Sequence, residues 1–199
     1  MFSKNKGFTL IELLIVIAIL AVLASITVIA INPADIFRRT RDSQRISDLD
    51  SIRTAINFYV VNTSTPALGA GNQTYSHLSG VKCGATTIAA SATSQAVDGT
   101  GWIPVNLSSL GGTSPLSKWP VDPQVTAIGD TPSRYYVYLT NSTSSTFEVI
   151  ANMESSQYSQ GGSNDVESKD GGKIAALYEI GTEFILATTT DTCFKGTGI

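Results

Sequence analysis

Few side chains in this sequence could act as nucleophile, base or metal ligand, and their spacing narrows the choice further. There is one histidine, His77, and there are two cysteines, Cys83 and Cys193. A Ser–His–Asp site would need His77, which sits in a Gly/Ser/Thr-rich stretch with no G-x-S-x-G elbow. No C-x-x-C, H-E-x-x-H or Walker pattern occurs. The reading is a non-enzyme with no catalytic residue and no cofactor. Asn164, Asp165, Glu167 and Asp170 form an acidic, Gly-flanked loop whose oxygens suit Ca²⁺. Their spacing lacks the EF-hand pattern, so a solvated loop is the default; Asp165, Glu167 and Asp170 are a weak calcium alternative, with no other metal site expected.

The carboxylate with the most unusual setting is Glu12, between Ile11 and Leu13 at the mouth of a long apolar run. A carboxylate in a membrane helix costs about 2.5–3.5 kcal/mol at the centre and less near an end. Such a group needs a partner, and no Lys or Arg lies within four residues of it. A chain cut before Phe8 would supply one, an α-amine one helical turn away. The plainer reading is an anion near a helix N-terminus, which the macrodipole favours.

The element that carries Glu12 is defined by its composition. Leu13 to Ile31 is apolar except for Ser25 and Thr27. At ~1.5 Å per residue it spans roughly 29 Å, against a hydrocarbon core of ~30 Å. A membrane-spanning helix follows, with a buried core helix and a cleavable secretory signal as the alternatives. Lys4 and Lys6 would serve as the signal's charged region, but the apolar run continues past the A-x-A-like Val22-Leu23-Ala24. Counting cations does not favour an exported C-terminal part: Lys4, Lys6 and the amine precede the span, while Arg38, Arg39, Arg41 and Arg45 follow it.

Beyond the span, Asn32-Pro33-Ala34-Asp35 reads as a helix restart with Asn32 as N-cap and Pro33 in the first turn. Ile46, Leu49, Ile52, Ile56 and Tyr59 or Val60 make one apolar stripe. Arg38 with Asp42, and Asp50 with Arg53, are expected on the opposite, solvated face. After residue 62 small polar residues dominate. Asn62 to Thr74 reads as a loop, 85–99 as irregular, and Trp119-Pro120-Val121-Asp122-Pro123 as a rigid turn. Arg134 to Asn141 alternates and pairs with Thr146 to Met153 as a hairpin. A second hairpin is expected from 173–180 and 183–188, turning near Gly181. With a net charge of −3 and only 15% charged residues, no basic surface argues for nucleic acid.

The stretch Lys6-Gly7-Phe8-Thr9-Leu10-Ile11-Glu12, followed by the apolar Leu13 to Leu20, resembles the N-terminus of the type IV prepilin and pseudopilin family. The resemblance implies an α+β fold in which a long N-terminal helix, half transmembrane and half amphipathic, packs on an antiparallel sheet. It implies a leader over 1–7, an assembly helix over 8–31, an amphipathic helix over 32–62 and a β-rich head over 63–199. It also implies cleavage after Gly7 and N-methylation of Phe8 by a prepilin peptidase, and pairing of Glu12 with a neighbour's Phe8 amine. Other pilin subunits and an inner-membrane assembly platform are the implied partners, and an extracellular filament the destination. The same resemblance places Cys83 and Cys193 in an oxidising compartment, where they are expected to pair. The family often carries a proline at about the twenty-second mature residue, here Ile29; this chain has Pro33 instead. The alternative roles are a pseudopilin of type II secretion or DNA uptake and, in another class, a membrane-anchored extracellular binding protein.

Overall fold

The computed structural model describes residues 7–70, 73–78, 82–83, 86–87, 90–91, 93–112, 114–124, 134–141 and 145–184. Helix α1 runs Leu10–Ile31 and helix α2 Pro33–Asn62. Between them Asn32 adopts a left-handed backbone, φ 45° and ψ 77°. Pro33 excludes right-handed helix at the residue before it, and Asn tolerates the left-handed region better than most residues. Asn32 thus closes α1 in the left-handed conformation rather than taking the extended backbone of an ordinary N-cap. Its carbonyl accepts from the N–H groups of Asp35 (3.0 Å) and Ile36 (3.4 Å) and so starts α2.

The chain forms two compact units, Met1–Phe37 and Arg38–Ile199. Most of α2, from Arg38 on, lies in the second unit. Within the head, strands β1 (Gln73–Ser76), β5 (Val137–Asn141), β6 (Thr146–Ala151) and β7 (Tyr178–Gly181) pair antiparallel in the order β1-β5-β6-β7. A short strand β4 (Ala90–Ser91) adds to β1 in parallel, and β2 (Lys82–Cys83) pairs with β3 (Thr86–Thr87) as a separate ribbon. The expected β5–β6 hairpin is present, with Asn141 opposite Thr146 and Ser145 at φ 51°.

Two expectations change. Strand β1 begins inside the stretch expected to be loop, and β3 and β4 lie in the stretch expected to be irregular. The second hairpin does not turn at Gly181. That residue is in β7, opposite Glu148, and a Cβ there would sit 2.2 Å from the Phe147 carbonyl oxygen. Glycine serves close backbone approach here, not a turn. Of the second arm, Glu183 and Phe184 are not in a strand, and 185–188 lie outside the described residues.

The sheet is buried on both faces. Towards α2, Tyr136, Tyr138, Phe147, Val149 and Ala151 meet Leu49, Ile52, Ala55, Ile56 and Tyr59, with Trp102 and Trp119 in the same core. The other face carries Tyr135, Val137, Leu139 and Ile150 under Ile174 and Leu177. The period-two alternation of the β5 sequence is thus the alternation between two cores. Tyrosine hydroxyls fasten the layers: Tyr136 donates to Asp48 Oδ2 on α2 (2.9 Å) and Tyr138 to the Leu68 carbonyl (2.8 Å).

Candidate processing and assembly segment

Gly7, Phe8 and Thr9 lead into α1 in extended or irregular backbone, and all three are exposed. A Cβ on Gly7 would meet nothing within 4 Å, so packing within the chain does not demand glycine there. Phe8 is 88% exposed and has no apolar neighbourhood to explain an aromatic. Thr9 is the N-cap of α1, with φ −80° and ψ 151°.

Glu12 closes a capping box on Thr9. Its Oε2 accepts from the Thr9 N–H at 2.8 Å and from the Thr9 hydroxyl at 2.7 Å, while Thr9 Oγ1 accepts from the Glu12 N–H at 3.3 Å. Two orphan donors of the first turn are satisfied in this way. The carboxylate thus has partners in its own chain, and the T-x-x-E spacing of Thr9 and Glu12 is the sequence signal for them. The box also turns the carboxylate towards the N-terminus. It bonds the peptide N–H one residue after Phe8.

From Leu10 to Thr27 the helix is long and apolar enough to cross a membrane, and none of that stretch is buried. Its large side chains are open, from 82% at Leu10 to 48% at Val16. The two hydroxyls are satisfied inside the helix: Ser25 donates to the Val22 carbonyl at 2.7 Å and Thr27 to the Ala24 carbonyl at 2.9 Å. From Leu13 to Thr27 the exposed surface of the helix is therefore apolar apart from these two internally bonded hydroxyls.

Asp42 lies on the buried face of α2, not the solvated one, and the stripe continues through charge. Arg45 is wholly buried, with its Nε and Nη2 donating to Asp122 Oδ2 and Oδ1 at 2.7 and 2.8 Å and its Nη1 to Asp42 Oδ1 at 2.8 Å. Its Nη2 also lies 2.5 Å from Glu154 Oε1, and Arg41 holds the same carboxylate. Burial alone would lower the Arg45 pKa; the hydrogen bonds and charge of Asp122 and Glu154 outweigh it and raise it. Asp42 further accepts the N–H groups of Glu154 and Ser155 at 2.9 and 2.7 Å. Asp122 belongs to the Trp119–Pro123 turn, whose function is thus to lock helix to head. Asp50 and Arg53 do pair on the exposed face, as expected.

The acidic loop is also structural. Asp165 accepts from Gly161 and Ser168, Glu167 from Met153 and Gln160, and Asp170 from Gly172 and Glu179. Each carboxylate caps its own pair of backbone amides. Among the described residues no group of three or more His, Cys, Asp or Glu is placed to hold a metal ion. His77 is half-buried just after β1, and its Nδ1 has no hydrogen-bond partner. Cys83 lies in β2, and Cys193 lies outside the described residues.

Residues 2–28 match the model of the prokaryotic N-terminal methylation motif. The N-terminus of the chain is thus similar to that of proteins carrying this methylation motif. Over 73 residues it is 38% identical to fimbrial protein Q of Moraxella bovis, a match covering 36% of this chain and 45% of that protein. The chain thus aligns with less than half the length of that pilin-like relative. No solved structure matches it. The pilin-type motif contains every residue of the capped segment: Gly7, Phe8, Thr9 and Glu12 all fall within it, as does the apolar stretch through Thr27.

Proposed function

We propose that this chain is a structural subunit of a type IV pilus-like filament. It is cleaved after Gly7 and N-methylated at Phe8 by a prepilin peptidase, then polymerises through α1. The observation that carries the reading is α1 itself: an uncovered apolar helix that begins at a capped carboxylate and follows a methylation motif. Soluble monomers rarely expose apolar patches larger than a few hundred Å². Bilayer lipid covers this surface before assembly, and neighbouring copies of α1 cover it in a filament. Gly7 and Phe8 have no packing reason within the chain, which fits residues chosen for recognition by a processing enzyme. The relative's name, a fimbrial protein, favours a pilus over a secretion piston or a membrane-anchored binding module. The work of the chain is structural and not catalytic, and its destination is the cell surface. Other pilin subunits and an inner-membrane platform are its partners.

Intact-mass measurement of the protein from its native cells tests this. The expected mass is that of a chain beginning at Phe8 with one added methyl group. A native chain retaining Met1, or beginning near Ser25, would overturn the proposal.

A further inference from the structure

Between α2 and the turn around Trp119 the head holds an open cleft of ≈ 450 Å³. Gln44 and Asp48, one helical turn apart on α2, line it together with Gln95, Lys118, Pro120 and Pro123. Its frame is fixed. Arg45, between the two α2 residues in sequence, clamps the turn through Asp122 at 2.7 and 2.8 Å. The Trp119 N–H donates to the Gln95 carbonyl at 2.8 Å, and Trp102 Nε1 donates to the Pro120 carbonyl at 3.1 Å. The lining thus stands in place before anything enters, as it does in most small-ligand sites.

The side chains around the cleft have bonding capacity to spare. Asp48 accepts the Tyr136 hydroxyl on Oδ2 at 2.9 Å, which leaves Oδ1 open. Burial raises the Asp48 pKa against the pull of that hydroxyl, so the carboxylate lacks part of the compensation that water would give it. Among the described residues, no hydrogen bond or ion pair engages the Lys118 ammonium or the side-chain amides of Gln44 and Gln95, and none joins Asp48 to Lys118. An anion alone would gain Lys118 but meet Asp48, and a cation alone the reverse. A ligand that carries both charges satisfies both groups. Each glutamine amide offers a donor and an acceptor, the complement of a peptide group. Taken as a cube, the cleft is about 8 Å across, the reach of two to three extended residues at ~3.3–3.6 Å each. We propose that this cleft binds a short zwitterionic peptide, with its ammonium on Asp48, its carboxylate on Lys118 and its peptide groups on Gln44 and Gln95. The site lies wholly within the second unit and does not depend on how α1 is processed or covered.

The test titrates the isotope-labelled full chain, in mild detergent at pH 7, with triglycine and follows the amide NMR shifts. Saturable shifts are expected at Gln44, Asp48, Gln95 and Lys118, while the amides of β5 and β6 stay in place. N-acetyl-triglycine lacks the ammonium and triglycine amide lacks the carboxylate. Each should bind about fivefold more weakly, the factor set by one partly exposed charge contact. Lys118→Gln should erase the advantage of the free carboxylate and leave that of the free amine. Asp48→Asn, which keeps an oxygen for the Tyr136 hydroxyl, should do the converse. Unchanged β5 and β6 amides in both variants report an intact head. No saturable shift at the cleft with triglycine up to about 50 mM would overturn the proposal. So would equal binding of the three peptides, or an advantage that survives the loss of its own partner. Binding of a neutral disaccharide at the same amides as tightly as triglycine would assign the cleft to polyols and overturn it as well.

Discussion

Arg45→Ala removes a cation that touches three carboxylates in the head, those of Asp42, Asp122 and Glu154. Arg45 is wholly buried, Asp42 is wholly buried, and the side chains of Asp122 and Glu154 are 1% and 6% exposed. Removing one member of a buried ion pair costs about 3–5 kcal/mol, because the charge left behind has lost its water as well as its partner. Each acid keeps some support: Asp42 its two backbone donors, Glu154 its bonds from Arg41, and Asp122 the N–H of Gln124. The expected loss therefore stays in that range and does not triple. At about 2–4 °C per kcal/mol for a chain of this size, it lowers the melting temperature by roughly 6–20 °C. Arg45→Lys should fall between, since an ammonium cannot reproduce the two-pronged contact with Asp122. Arg53→Ala, which breaks only the exposed pair with Asp50, should cost less than about 1 kcal/mol.

Urea unfolding of the full chain in mild detergent, followed by the fluorescence of the buried Trp102 and Trp119, gives the three midpoints. The pH dependence adds a sign. Burial opposes the charged form of Glu154, but bonds from Arg41 and Arg45 prevail and hold its pKa below the usual value of 4.5. Stability from this group is complete above 4.5 and is lost as pH falls through the lower folded value. The gap between wild type and Arg45→Ala should therefore narrow in acid. If Arg45→Ala costs no more than Arg53→Ala, or if the gap widens in acid, the reasoning fails.

Burial pushes the Glu167 pKa up to about 7 against the pull of the Met153 and Gln160 N–H groups, so the folded head holds a proton that the unfolded chain releases. Stability should fall by roughly 3 kcal/mol as pH rises from about 4.5 past 7, and Glu167→Gln should flatten that slope in urea midpoints taken at pH 5 and pH 8. Glu12→Leu should enter the membrane as well as wild type, because it removes a carboxylate from the span, yet yield no filaments in the sheared fraction; normal filament yield would count against an intersubunit role. Cys83 and Cys193 should appear as one linked pair in non-reducing peptide maps of the exported protein. Closing a loop of about 110 residues would stabilise by roughly 4–5 kcal/mol in the chain-entropy model, and two free thiols would refute the pairing.

The N-terminal part of the molecule was legible because its signals are local. A run of apolar residues fixes a helix by length alone, Pro33 forbids helical backbone at Asn32 whatever else surrounds it, and the methylation motif is contiguous. The β5–β6 hairpin was legible for the same reason, since alternation and a nearby turn are properties of one short segment. What the sequence did not decide was who meets whom across long separations. Asp42 and Arg45 look like members of a solvated helix face until Asp122, 77 residues after Arg45, and Glu154 close over them. Asp165, Glu167 and Asp170 read as a solvated acidic loop, yet each accepts backbone N–H groups that the spacing does not reveal. Charge type is written in the sequence. Whether a charge faces solvent or a buried counter-charge depends on the tertiary structure, because desolvation and partner distance set its energy.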